Sequence, residues 1–369
     1  MQDSVIYHNY WKILDENIEK QTYISELSEG LMISDKIQNI SRLRCPIGYV
    51  EEEFFFSLVD YRNNYFTSND PNKIIEFYND FQNRDQLIQW MKERPRGVSN
   101  IIEIDGNKDI VVVIPTADFN GKYAKECRDN IFNGLHIVFI ESGGRGDFYF
   151  NFAHNVNVGI RKAMEYNPKW VVVSNDDMIK SDPMCKIKDQ LLALDNEKYD
   201  AVFTLNGIKT ATRTLICKFS VIGNIINSII TYTHIYKLIK NDRMLFFATL
   251  QLMKKFRNEF VLKLDLNRFE NILFKRLNSY YNFEAFGIFS ARFINQSTNL
   301  LDETYINDYE DQDLSILINS VPERLAWIDY DIRGQHGMTI GQGINRKLRD
   351  VASLSYFNLK MEKGVILRL

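Results

Sequence analysis

The strands of this chain announce themselves as continuous apolar runs. Ile110-Val111-Val112-Val113-Ile114, His136-Ile137-Val138-Phe139-Ile140 and Trp170-Val171-Val172-Val173 are each rich in β-branched residues. That is the pattern of strands buried on both faces of a parallel sheet. Between them the apolar spacing lengthens. Tyr123, Cys127 and Ile131 share one face ahead of Gly134, a suitable C-cap, and Val156, Ile160, Ala163 and Met164 share another between about Ala153 and Tyr166. Asn167-Pro168 closes that second helix. Strand, helix, strand, helix, strand predicts a βαβαβ unit with a parallel sheet wound right-handedly.

Downstream, Ser181-Asp182-Pro183 opens a helix through Leu191, Leu192 and Leu194, and Tyr199 to Leu205 reads as a further strand. Residues 212–282 interrupt the alternation. No Asp, Glu, Lys or Arg lies between Lys218 and Lys237, but the apolar pairs Val221-Ile222, Ile225-Ile226 and Ile229-Ile230 alternate with Asn224, Asn227, Ser228, Thr231, Thr233 and His234. This predicts an amphipathic helix and not a span. Met244 to Phe260 is apolar at first and cationic at Lys254, Lys255 and Arg257. A helical insertion covering the core is the expectation, with peripheral membrane contact through 219–260 or reception of a lipid-linked acceptor as competing readings.

Residues 1–108 carry no motif and read as an N-terminal extension packed on the main body. Tyr7 to Tyr23 is aromatic-rich and suggests a helix; Val50 to Tyr61, with Phe54-Phe55-Phe56, suggests a strand. Asp70-Pro71 starts helices that carry Ile74, Ile75, Tyr78 and Phe81, then Leu87, Ile88 and Met91, and Arg94-Pro95-Arg96-Gly97 ends them.

Composition narrows the class. The 369 residues are 45% hydrophobic and 13% aromatic, ample for a large core, and the net charge of −3 argues against a nucleic-acid partner. Cys45, Cys127, Cys185 and Cys217 show no CxxC spacing, so they read as buried thiols and not a disulfide frame or zinc site. Met1-Gln2-Asp3-Ser4 opens no signal peptide. A cytoplasmic protein, at most peripheral at the inner face of the membrane, is the expectation.

Candidate chemistry sits where the third apolar run ends, at Ser174-Asn175-Asp176-Asp177. Adjacent acids at the carboxyl edge of a parallel sheet suit a hard cation such as Mg²⁺ or Mn²⁺, with phosphates completing its shell. A solvated loop with aspartate as a helix cap accounts for the same residues without chemistry.

Three further segments add to this one. Phe286-Gly287-Ile288-Phe289-Ser290-Ala291-Arg292-Phe293-Ile294 is a small-residue strand and turn. Asp302-Glu303-Thr304-Tyr305-Ile306-Asn307-Asp308-Tyr309-Glu310-Asp311-Gln312-Asp313-Leu314-Ser315 is an acidic stretch running into a helix. Arg333-Gly334-Gln335-His336-Gly337 is a glycine-flanked histidine. In this order, over roughly residues 109 to 345, the chain resembles the GT-A glycosyltransferases of family 2. The resemblance implies an α/β fold with a GT-A type, Rossmann-like, mostly parallel sheet flanked by helices, occupying residues 109–369 and including the helical insertion at about 212–282.

The resemblance also implies roles. Asn175-Asp176-Asp177 matches the family's DXD motif, with asparagine in the first acidic place. Asp177 then holds the divalent cation, Asp176 addresses ribose or metal-bound water, and His336 approaches the metal or diphosphate. Asp311 is the implied general base with Glu310 beside it, and the family inverts the anomeric centre. Pro115, Thr116, Ala117 and Asp118 match the turn after the first strand, and Glu141 stands where an aspartate usually addresses base or ribose. Asn157 and Gly159 match an N-x-G pattern, with Arg161 placed to reach base or diphosphate. Asp313 reads as a helix-terminal charge. His154 is open between packing and a base contact.

Mechanistically these residues suit transfer from a nucleoside-diphosphate sugar to a glycan, lipid-linked or protein acceptor, because a cation neutralises the leaving diphosphate and a base takes the acceptor proton. The chain also admits a homo-oligomer. A catalytically silent GT-A-like module that binds a sugar nucleotide or scaffolds partners is the alternative, favoured by Asn175 and opposed by Glu310-Asp311. A sugar-1-phosphate nucleotidyltransferase ranks last, since Pro115 to Gly121 lacks the basic glycine-rich loop that holds a triphosphate.

Overall fold

A computed structural model describes residues 61–142, 148–180, 182–205, 212–217, 243–265, 279–283, 285–306, 308–334 and 344–364. They fall almost wholly in one compact unit, Tyr65–Leu369. The helix expected in Tyr7 to Tyr23, the strand around Phe54-Phe55-Phe56, the helix expected between Lys218 and Lys237, and His336 lie outside the described residues.

In chain order the elements are α1 (Pro71–Asn79), α2 (Arg84–Glu93), β1 (Asn100–Ile104), β2 (Asn107–Thr116), α3 (Lys122–Glu126, continued by a π-turn over Cys127–Ile131), β3 (Leu135–Glu141) and α4 (Phe152–Met164). Then come β4 (Trp170–Ser174), β5 (Met178–Lys180), α5 (Met184–Ala193), β6 (Ala201–Leu205), β7 (Thr212–Cys217), α6 (Arg243–Lys255), β8 (Phe260–Asp265) and β9 (Ser279–Tyr281). Last are β10 (Phe286–Ser290), α7 (Ala291–Ile294), α8 (Glu310–Asn319), β11 (Leu325–Asp329), β12 (Ile332–Gly334) and α9 (Ile344–Glu362).

The main sheet has seven strands in the order β1-β3-β2-β4-β10-β6-β11. Pairing is parallel for β3 with β2, β2 with β4 and β6 with β11, and antiparallel where β1 meets β3 and where β10 lies between β4 and β6. The continuous apolar runs are explained by the two faces they serve. Ile110, Val112, Ile137, Phe139, Trp170 and Val172 pack with Cys127, Ile131, Ile187 and Leu191 on one side. Val111, Val113, Val138, Ile140, Val171 and Val173 pack with α4 and with Leu314 and Ile318 of α8 on the other. Gly159 lets α4 lie close on the sheet, since a Cβ there would run into Val113 and come within 3.0 Å of Ile140 Cγ1.

The structure corrects three expectations. The first strand does not stop at Pro115: β2 continues through Thr116, with Pro115 opposite Ile140 and Thr116 opposite Glu141. Its ladder with β4 ends at Val113, so the proline stands where β2 has only β3 beside it. Second, the insertion over 212–282 is not purely helical. Thr212 to Cys217 and Phe260 to Asp265 are strands, and β7 pairs antiparallel with both β8 and β9 in a separate sheet. Third, the Arg94 to Gly97 stretch is followed by an edge strand, β1, that the sequence reading leaves out.

A third group of helices packs beside the sheet. Ile74, Phe77, Tyr78 and Phe81 of the α1 region, Leu87, Trp90 and Met91 of α2, Leu252 and Phe256 at the end of α6, and Leu348, Val351 and Ala352 of α9 form one buried cluster. Tyr78 ties it together, donating its hydroxyl to the Leu348 carbonyl at 2.6 Å. The part of the insertion expected to cover a core therefore does so at Leu252 and Phe256. Among the described residues, no helix is long and apolar enough to cross a membrane.

Candidate functional site

The carboxyl ends of β2, β3 and β4 converge on one edge of the sheet. Thr116, the last residue of β2, is buried and donates Oγ1 to Asp176 Oδ2 at 2.8 Å. Burial pushes Asp176 above the ordinary carboxylate range; the Thr116 hydroxyl opposes that shift and the neighbouring Asp177 charge adds to it. Cys127, in the π-turn, closes the site from below with its Sγ 3.1 Å from the Asp176 carbonyl. Its thiol is raised mainly by burial, then by Asp176, so it is a packing group there and not a nucleophile.

Asp177 is buried, and its Oδ1 has no hydrogen-bond partner. Ser142, just after β3, has a buried and equally unpartnered Oγ. Unsatisfied buried polar atoms are costly unless a ligand meets them. A carboxylate oxygen left open in this way fits a hard cation. Among the described residues, however, no three His, Cys, Asp or Glu side chains gather closely enough to hold a metal by themselves.

The remaining residues of this edge divide by placement. Glu141 is half-buried and accepts from the Phe119 amide at 2.8 Å, so it braces the turn after β2. Ala117 and Asp118 are exposed, and Asp118 shapes that turn by accepting from the Asn120 amide at 2.9 Å. Pro115 is buried in the strand.

Asn157 is buried and fully engaged elsewhere: it donates to the Leu301 carbonyl at 2.8 Å and to Glu303 Oε1 at 3.0 Å, and accepts from the Leu301 amide at 3.0 Å. It clamps α4 to the 301–303 loop instead of presenting an edge to a nucleotide. Arg161 is exposed and contacts Asn299 at 3.1 Å. His154 meets Glu303 Oε2 at 2.9 Å. Burial raises Glu303, but the Asn157 and His154 hydrogen bonds outweigh it and hold the carboxyl below its usual range.

Across from β4 stands the start of α8. Asn175 and Asp311 line one small pocket whose other walls are apolar, including Phe152, Phe283, Phe289 and Leu301. It has room for about one water molecule. Asn175 is fixed by its backbone, whose N–H donates to the Ala285 carbonyl at 2.9 Å. Tyr309, immediately before α8, has φ of +73°, a left-handed conformation that a bulky residue adopts at a cost of about 1–3 kcal/mol.

Glu310 and Asp311 part ways. Glu310 is buried with Oε2 accepting from the Asp308 amide at 2.8 Å, and burial, then the Asp311 and Asp308 charges, push it up to about 8. Asp311 is half-buried and reaches the pocket. Asp313 points away and pairs with Lys360 of α9, which also contacts Asp302 at 3.1 Å. It is thus a buried ion-pair partner and more than the helix-terminal charge expected of it.

The third sequence segment approaches from another side. β12 pairs antiparallel with β5, and Gly334 lies opposite Met178, the residue following Asp177. The chain that leads toward His336 therefore leaves the described structure beside the acids. Sequence reasoning missed Asn282, which donates Nδ2 to Asp311 Oδ2 at 3.4 Å. No signal in the sequence marks it; the docking of the β9 end on α8, through Tyr281 and Asn319, brings it there.

No protein-family model, no curated protein and no solved structure matches the chain.

Proposed function

We propose that this protein is an inverting, metal-dependent glycosyltransferase of GT-A type that uses a nucleoside-diphosphate sugar. One observation carries the reading: Asn175, at the end of β4, and Asp311, at the start of α8, line the same pocket although they are far apart in sequence. The antiparallel strand β10 inserted between β4 and β6, and the β5–β12 ladder beside Asp177, support it further.

In this reading Asp177, with its open Oδ1, would hold a divalent cation, and His336, outside the described residues, is the second ligand that the resemblance implies. A bound cation would supply charge neutralisation for the leaving diphosphate. Thr116 and Asp176 fix the nucleotide side of the site, and the turn braced by Glu141 walls it. Asn175 offers a neutral amide to the donor. Asp311 accepts the proton of the acceptor hydroxyl as that oxygen bonds to the anomeric carbon and the bond to the diphosphate oxygen breaks. Glu310, turned back onto the Asp308 amide, supports the helix start and takes no proton from the acceptor.

A silent sugar-nucleotide-binding module is the second reading, favoured by Asn175 in place of an acid. Binding is tested by thermal shift of the full chain against nucleoside diphosphates and their sugars, with and without Mn²⁺. A ligand that binds only the native state raises the Tm. The expected result is a Mn²⁺-dependent rise that Asp177→Ala abolishes; donor affinity indifferent to Mn²⁺ and to Asp177 overturns the metal assignment.

A further inference from the structure

We infer that Asn282 is a positioning residue for Asp311, and that the insertion supplies it so that the strand end Tyr281-Asn282 sets the aim and proton affinity of that carboxylate. This rests on the reading of Asp311 as the base and adds to it a group that no motif contains.

The geometry is a polar stripe read by a strand end. Asp311, Ser315 and Asn319 recur at i, i+4 and i+8 on α8 and so share one face. Every one of them is bound by Tyr281 or Asn282. Asn319 donates Nδ2 to the Tyr281 carbonyl at 2.8 Å and accepts from the Tyr281 amide at 3.0 Å, pairing with the backbone as a strand would. Ser315 donates Oγ to Asn282 Oδ1 at 2.9 Å. The same hydroxyl lies 2.6 Å from the Asp311 carbonyl, so Ser315 bridges the α8 backbone and Asn282, whose Nδ2 donates to Asp311 Oδ2 at 3.4 Å. The other Asp311 oxygen, Oδ1, accepts from the Gln312 amide at 2.9 Å.

Asn282 is buried, so this donor is not competing with bulk water. A buried amide that donates to a carboxylate favours the charged form and limits its rotation. A 3.4 Å separation is long, as catalytic hydrogen bonds commonly are before substrate binds. Among the described residues, the titratable groups at this helix start are Glu310, Tyr309 and Asp308, with Tyr280 of β9 and Arg346 and Asp350 of α9 acting on them. The pocket walls from β4, β10 and the 300–301 loop carry none. Asn282 is thus a contact to Asp311 made from outside α8.

The test follows Asp311 directly and does not depend on turnover. Aspartate side chains are labelled with ¹³C at the carboxyl, the Asp311 signal is assigned as the one lost in Asp311→Asn, and it is titrated in wild type and in Asn282→Ala. The expected result is an upward shift of the Asp311 titration by about one pH unit, the size of one hydrogen bond to a charged group. Ser315→Ala, which removes the hydroxyl that bridges Asn282 and the α8 backbone, shifts it in the same direction by less and guards against loss of folding in the first variant. Asn319→Ala breaks the other end of the grip, lowers Tm and leaves the titration in place.

In the proposed transfer reaction, the acid limb of the kcat profile moves upward with the titration while the donor KM holds. An Asp311 titration unchanged in both Asn282→Ala and Ser315→Ala overturns the inference. A shifted titration in a chain that transfers no sugar upholds the contact and overturns the transferase reading alone.

Discussion

Thr116 Oγ1 donates to Asp176 Oδ2 at 2.8 Å, joining the end of the first parallel strand to the acids that follow the third. β2 and β4 are neighbours in the sheet, but their ladder ends at Val113 and Val173. Beyond it, this side-chain bond holds the two loops at a fixed separation. Thr116→Val keeps the shape and removes the donor, leaving a partly buried carboxylate without its partner. The expected cost is about 1.5 kcal/mol, the low end for a hydrogen bond to a charged group, with weaker donor binding. Chemical denaturation of the two proteins, alongside donor titration, measures both.

Glu310 gives the stability of the chain a pH dependence of known sign. Its carboxyl is raised in the folded state, to about 8, mainly by burial. A group raised on folding contributes its stability below its unfolded value of about 4.3 and loses it as pH climbs through the folded value. Glu310→Gln removes that loss while keeping an acceptor for the Asp308 amide. Tm of the variant and wild type are expected to coincide near pH 4, and the variant to be more stable by at least about 1 kcal/mol above pH 8. Transfer activity is retained, because Glu310 does not reach the pocket.

Gly159 tests the packing that places α4 behind the acids. A methyl group there meets Val113 and Ile140, both rooted in the central strands and unable to yield. Gly159→Ala is expected to cost about 1–3 kcal/mol despite alanine's better helix propensity, a sign opposite to that of an exposed helical glycine. A lowered Tm checks it; a raised Tm contradicts the close approach.

The sheet core was legible because strands buried on both faces must be apolar at every position, as Ile110 to Ile114 and Trp170 to Val173 are. The helices between them were legible because Cys127 and Ile131, or Val156 and Ile160, keep helical spacing against one face. β5 and β12 were not, because three-residue strands carry no periodic signal. The insertion misled because the uncharged run between Lys218 and Lys237 dominates its composition, whereas β7 and β8 are short segments without a clean period-2 pattern.

At the site, the acids announced themselves by clustering at element ends, but their roles did not. Asp311 and Asp313 look alike in sequence; Lys360, remote in the chain, claims Asp313 and leaves Asp311 to the pocket. Asn157 fitted a nucleotide pattern and is instead consumed by the 301–303 loop. Ser315 and Asn319 belong to an ordinary amphipathic helix until Tyr281 and Asn282 are set against them.

The central claim is that Asp311 takes the acceptor proton in a sugar transfer whose donor is held elsewhere in the site. The most direct measurement compares wild type and Asp311→Asn for sugar transfer and for donor binding, using the nucleoside-diphosphate sugar that gives the largest Mn²⁺-dependent thermal shift. The account predicts that the variant binds this donor as tightly as wild type and that transfer falls by a factor of at least about 10². Transfer persisting at the wild-type rate in Asp311→Asn would contradict it.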